Sequence, residues 1–177
     1  YEKGSPGKFY SWSLSGLDGS TAQEVGLVEG IGNIPVLAND RLYYIGNDRG
    51  FYSYLADDLQ LDFADASEGF SLSCLGNDVS KAAVVDGGVY FAVCNVGSEN
   101  NVVAYDVGAR GVIWSSGISG ISPNSDKVGV ISAGSGKICA PYSNGIDTYG
   151  LAFFDQGSGS SFNAGVDNHI LFSASHN

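Results

Sequence analysis

The chain has 177 residues, 44% hydrophobic and 15% charged, with a formal charge of −11; this suits one folded domain with a real core and argues against disorder. Lys and Arg total eight, and no basic stripe with interleaved aromatics exists, so a polyanionic nucleic acid would be repelled and an anionic membrane surface is disfavoured as a partner. No apolar run approaches the roughly 18 residues of a spanning helix, and a start at Tyr1 without any methionine reads as a processed or excised segment.

The 26 glycines, ten tyrosines and nine phenylalanines favour short strands joined by tight turns. Taken in chain order, residues 8–29 give two strands. From residue 31 onward a longer pattern repeats. Apolar runs at Ile34–Ala38, Ala82–Val85 and Val128–Ala133 carry no polar alternation and are predicted as inner strands buried on both faces. Tight turns follow at Asn39-Asp40, Asp86-Gly87 and Gly134-Ser135. Next come strands at Arg41–Asn47, Gly88–Cys94 and Gly136–Tyr142, then a loop and a further aromatic strand. That third strand ends on Trp12, Tyr54, Tyr105 or Phe154, aromatics spaced 42, 51 and 49 residues apart, and a turn with a short outer strand completes each unit.

That spacing is the period of propeller blades. The predicted fold is all-β, a β-propeller-like array of four-stranded antiparallel meanders in a single domain. Three blades are full, at about 31–76, 77–123 and 124–165, and residues 8–29 form a partial one. The tail 168–175 is predicted as one more strand. Three and a half blades do not close a ring. The chain is therefore expected to belong to a longer propeller, to pair 168–175 with 8–29, or to share a ring with a second copy of itself.

Ala104-Tyr105-Asp106, with Gly111 and Trp114, resembles the blade signature A-x-D-x-x-x-G-x-x-x-W of quinoprotein-type propellers, the pyrroloquinoline-quinone-like repeats. Gly111 stands one place late. Phe63 occupies the place of Trp114 in the second blade, Phe162 lies near it in the last, and the N-terminal half-blade has no aromatic there. The resemblance implies that the tryptophan docks between neighbouring blades. It does not extend to the quinone-dependent dehydrogenases' vicinal cysteine pair, which is missing here, and no quinone or calcium ligands match by motif.

Candidate chemistry is sparse. Asp57, Asp58, Asp62, Asp65 and Glu68 place five carboxylates in twelve residues, weak candidates for calcium but without the alternating loop pattern, and more simply a solvated acidic edge. Ser132–Lys137 has the wrong glycine spacing for a phosphate loop and reads as a hairpin turn. His169 and His176 sit near the C-terminus without triad partners. No catalytic residue and no cofactor is assigned. Cys74, Cys94 and Cys139 show no metal-site spacing; they read first as reduced, buried small hydrophobes, with one disulfide plus a free thiol as the alternative. Tyr43, Tyr44, Tyr52, Tyr54, Tyr90, Tyr105, Tyr142 and Tyr149 exceed what a small core needs, and suit either a binding surface or the grooves between blades. Loops Gly97–Asn101 and Ser143–Tyr149, with Tyr142, Asn144, Asp147 and Tyr149, are the binding-surface candidates. The function expected is a noncatalytic scaffold, secreted or at the cell surface, that recognises protein or carbohydrate. The alternative is part of a quinoprotein-like or hydrolytic enzyme whose site lies partly outside this segment.

Overall fold

The structure is a computed structural model that describes residues 8–11, 23–27, 35–46, 48, 50–65, 83–96, 99–118, 127, 128, 130–143 and 149–165. These residues form strands alone, arranged in four antiparallel sheets. Blade 1 is a pair, β1 (Lys8–Ser11) and β2 (Gln23–Gly26). Blade 2 runs in order β3 (Val36–Ala38), β4 (Arg41–Ile45), β5 (Phe51–Leu55) and β6 (Leu61–Asp65). Blade 3 repeats this with β7 (Val84–Asp86), β8 (Val89–Val96), β9 (Glu99–Asp106) and β10 (Gly111–Gly117). In blade 4, β11 (Lys127–Val128) and β12 (Ser132–Gly134) both pair with β13 (Lys137–Ser143), which is followed by β14 (Tyr149–Asp155) and β15 (Ser161–Gly165). The predicted strand at 168–175 lies outside the described residues.

Turn chemistry fixes these meanders. The first hairpin of each full blade has both central residues at positive φ: Asn39 and Asp40 at 50° and 56°, Gly87 and Gly88 at 58° and 80°, Ser135 and Gly136 at 52° and 71°. Such mirror-image turns match the right-handed twist of paired strands, and Asn, Asp and Gly enter them at least cost. In blades 3 and 4 the turn therefore sits one residue later than the sequence suggested. Gly87 and Gly136 meet the left-handed requirement, whereas Asp86 and Gly134 are the last residues of their strands.

The inner strands are shorter and more open than their apolar runs imply. Leu37 in β3 is 66% exposed, and β12 alternates exposed, half-buried and exposed. The reason is position. β3, β7 and β12 lie side by side on the concave edge of the arc, where β7 touches both others. Only the residues turned toward a neighbouring blade, such as Val36, Ala38, Ala83 and Val85, reach the core.

The core lies between blades and not within one. By strand alternation each sheet has a leading face toward the preceding blade and a trailing face toward the next. Phe9 and Leu27 of blade 1 pack on Tyr44, Tyr52, Tyr54 and Leu59 of blade 2. Tyr43, Ile45, Phe51 and Phe63 on the trailing face of blade 2 meet Tyr90, Ala92, Cys94, Val103 and Tyr105. Phe91, Val93, Val102 and Ala104 then meet Ile138, Ala140, Ala152 and Phe154. The periodic aromatics thus have one job. Tyr54 stands edge-on to Phe9 at 5.7 Å, Tyr105 lies 4.5 Å from Phe51, and Phe154 stacks on Trp114 at 6.2 Å. Trp12 lies outside the described residues.

Candidate functional site

The outer two strands of each blade are joined by a turn that supplies the chemistry of the repeat signature. In blade 3 the Asp106 carboxylate accepts from Gly108 N and Ala109 N, both at 2.8 Å. In blade 4 Asp155 Oδ1 accepts from Gly157 N, Ser158 N and Ser158 Oγ at 3.2, 3.0 and 3.0 Å. An acidic side chain here satisfies turn amides that no strand partner can reach. In blade 2 Leu55 holds the equivalent place, and Asp57 and Asp58 cap their own turn instead, accepting from Asp58 N and Gln60 N. Each turn ends on a left-handed residue: Leu59, Arg110 or Gly159, at φ 56°, 58° and 69°. This explains the late glycine of the signature. The left-handed position in blade 3 is Arg110, and Gly111 merely follows it.

That left-handed position receives the preceding blade. The Trp114 indole N–H donates to the Gln156 carbonyl at 3.0 Å, and its ring lies so close to Gly159 that a Cβ there would sit 2.6 Å from it. Strand register places Phe63 opposite Ser53, Trp114 opposite Ala104 and Phe162 opposite Phe153, so the three aromatics are equivalent. At the earlier junction the smaller Phe63 ring leaves room for a side chain, and the Arg110 guanidinium carbon lies 4.6 Å over its face. Large ring with glycine and small ring with arginine are two solutions to one junction. Two further hydrogen bonds tie blades together: Tyr105 Oη donates to Asp65 Oδ2 at 2.7 Å, and Gln156 Nε2 donates to Asp86 Oδ2 at 3.2 Å. Burial, with the Asp65 hydrogen bond second, pushes the Tyr105 phenol well above its ordinary range.

The four aspartates considered for a metal are held separately. Asp57 and Asp58 cap the turn after β5. Asp62, the extra residue of a bulge in β6, pairs with Arg41 at 2.9 Å and accepts from Ser53 Oγ at 3.3 Å. Asp65 accepts a hydrogen bond from the Tyr105 hydroxyl. Among the described residues no group of three or more His, Cys, Asp or Glu side chains converges on one point.

Six of the eight tyrosines, Tyr43, Tyr44, Tyr52, Tyr54, Tyr90 and Tyr105, are at most 3% exposed between blades. The surface reading fails for them because inter-blade grooves need large flat side chains. Tyr142 is half-buried, its ring folded over the directly paired Gly150, where a Cβ would come within 2.3 Å of the ring. The Ser143–Tyr149 pair closes the β13–β14 connection that carries Asn144 and Asp147, which lie outside the described residues. His169, His176 and Cys74 lie outside them too.

The cysteines differ from the reduced set first read from the sequence. Cys94 is fully buried and disulfide-bonded, whereas Cys139 is a half-buried free thiol, pushed up in pKa by burial. Nothing in the cysteine spacing signals this, because proximity in space is a tertiary property. The role of Arg110 and the hydrogen bonds of Gln156 were equally hidden from the sequence; a consistent alignment of the aspartate turns would have revealed the first.

Four-stranded meanders set side by side about a common edge, with aromatic docking between them, define a β-propeller-like array of blades. The solved structures it resembles carry this fold. A europium-containing methanol dehydrogenase superposes with a TM-score of 0.55 at 13% identity, over 77% of this chain and 24% of that one. BamB from Moraxella catarrhalis gives 0.52 at 16% identity, over 81% of this chain and 43% of that one. A quinohemoprotein alcohol dehydrogenase from Pseudomonas putida HK5 gives 0.53 at 14%, over 77% and 20%. The chain thus spans less than half the length of each. No family model matches the sequence, and no curated protein matches it.

Proposed function

We propose that this chain is part of an extracytoplasmic β-propeller that recognises a protein or carbohydrate ligand and carries out no chemistry of its own. One observation carries the reading. The polar side chains at the blade ends are committed to the scaffold: Asp106 and Asp155 cap turns, Asp65 and Gln156 join blades, and Arg41 and Lys137 pair with Asp62 and Asp155. Recognition then falls to the connections between the second and third strands of each blade, which gather at one end of the arc. The β13–β14 connection, with Asn144 and Asp147 between Tyr142 and Tyr149, is the favoured contact. The charge of −11 favours a ligand with positive groups. A disulfide at Cys94 suits an oxidising compartment.

The test is binding of the immobilised chain to an oligosaccharide array and to lysine-rich peptides, at low and high salt. Asn144→Ala with Asp147→Ala should weaken the strongest signal at least tenfold while the far-ultraviolet circular dichroism stays unchanged. A thermal scan with pyrroloquinoline quinone and calcium decides the enzymatic alternative: a clear rise in Tm would overturn the noncatalytic reading.

A further inference from the structure

Among the described residues, two buried side-chain polar atoms lack a hydrogen-bond partner, Asn100 Nδ2 and Asn101 Oδ1. They are consecutive in β9, at the foot of the β8–β9 connection. The Asn101 amide still donates through Nδ2 to Ser115 Oγ at 3.0 Å. Asn100 uses only its backbone, whose carbonyl accepts from Ile118 N at 2.8 Å, and the residue is 5% exposed. A buried donor without an acceptor costs stability, so its presence asks for a reason. The fold supplies none. The register that equates Ala104 with Phe153 sets Tyr149 at the place of Asn100 and Gly150 at the place of Asn101. Blade 4 is built without an amide at either position.

By strand alternation Asn100 shares the trailing face of blade 3 with Val102, and Val93 stands directly opposite Val102. Ile118, bonded to the Asn100 carbonyl, is 1% exposed in the same cluster. Across the gap, at the same level of blade 4, Val128 and Tyr142 pair with each other and pack against that cluster. The amide is therefore a neutral donor in an aliphatic setting. An anionic acceptor is disfavoured by desolvation and by the net charge of −11. A sugar ring is disfavoured too, because it needs an open aromatic face, and the Tyr142 ring is folded onto Gly150. A main-chain carbonyl beside an apolar side chain matches both the donor and the lining.

We infer that the gap between blades 3 and 4 binds an extended peptide segment of a partner protein, with Asn100 Nδ2 donating to a main-chain carbonyl of that segment. An apolar side chain of the segment lies against Val102, Ile118 and Val128. Turning the half-buried Tyr142 ring off Gly150 opens the gap at its connection end. Basic residues on either side of the apolar one suit the charge of this chain. The inference rests on the recognition reading above and commits it to protein over carbohydrate.

The probe is an array of acetylated octapeptides in which lysines flank a Leu, Ile or Phe, run beside the oligosaccharide array. The best-binding peptide should bind Asn100→Leu about tenfold more weakly, while the Tm of the free variant stays level or rises because an unpartnered buried donor has gone. In the parent chain, the Asn100 side-chain amide protons, assigned by triple-resonance nuclear magnetic resonance, should shift downfield and exchange more slowly once that peptide is added. This second readout needs no variant, so it stands even where Asn100→Leu does not fold. A peptide that binds without moving these protons overturns the inference and leaves the recognition reading intact; so does binding to oligosaccharides alone. A lower Tm for Asn100→Leu with peptide binding unchanged also overturns it, because the amide then serves packing only. Silence on both arrays overturns the inference and the recognition reading together.

Discussion

Trp114 and Gly159 illustrate how one residue pair holds two blades. Gly159→Ala places a Cβ into the indole and forces a left-handed residue with a side chain, which costs about 1–2 kcal/mol for the backbone alone. With the displaced ring added, urea unfolding should show a loss of about 2–3 kcal/mol. Arg110→Gly behaves differently. It removes a left-handed penalty of about 1 kcal/mol but also a cation–π contact worth about 0.5–1 kcal/mol, so the same measurement should find it nearly neutral. A large loss for Arg110→Gly would show that the guanidinium does more than cover Phe63. Asp155 adds a pH dependence. Its hydrogen bond with Lys137, helped by Ser158, holds its carboxyl below the ordinary range. A carboxylate of lowered pKa contributes stability above the unfolded value of about 4, and that contribution disappears as pH falls through the lowered folded value. Asp155→Asn should therefore flatten the stability profile at the acid end of this range and leave the slope near neutrality unchanged.

At the level of strands, the alternation of leading and trailing residues does most of the organising. β13 and β14 show how tightly it is enforced, since Tyr142 lies over Gly150 as a large ring covering a residue that has no side chain to pack. Gly150→Ala should expel that ring and lower stability by about 1–3 kcal/mol, read as a fall in the urea midpoint with an unchanged slope. Tyr105→Phe keeps the packing against Phe51 and deletes only the bond to Asp65, so a smaller loss of about 1–2 kcal/mol is expected from the same experiment. The periodic aromatics, the mirror-image turns at Asn39-Asp40 and the equivalence of Phe63, Trp114 and Phe162 were all legible in the chain. They depend on local conformation and on period, both of which are sequence properties. The openness of β3 and β12 was not legible. An apolar run reports that a strand prefers burial, and only the position of that strand on the concave edge determines how much burial it obtains.

At the scale of the molecule, the core among the described residues is spread over three inter-blade clusters, a repeat-like arrangement in which each unit leans on its neighbours. The disulfide at Cys94 sits in the middle cluster. Reduction should lower stability by about 2–4 kcal/mol, visible as a drop in Tm under reducing conditions that a Cys94→Ala variant no longer shows. The candidate contact residues Asn144 and Asp147 were chosen for their place in a connection between strands, a reading that sequence supports through loop position alone. What stands beside that connection in space is a tertiary property, which periodicity does not encode.

The sequence by itself determined the class of structure. Turn residues with left-handed propensity, aromatics at a blade-length period and the absence of helical patterning leave a meandering all-β repeat as the consistent solution. The tertiary structure decided what each repeated residue meets. It decided for inter-blade packing at six of the eight tyrosines, separated four neighbouring aspartates into turn caps, an ion pair and a blade link, and set Cys94 apart from Cys139. The physical reason is that strand periodicity fixes which face a side chain occupies, while only the packing of one blade on the next decides whether that face is covered.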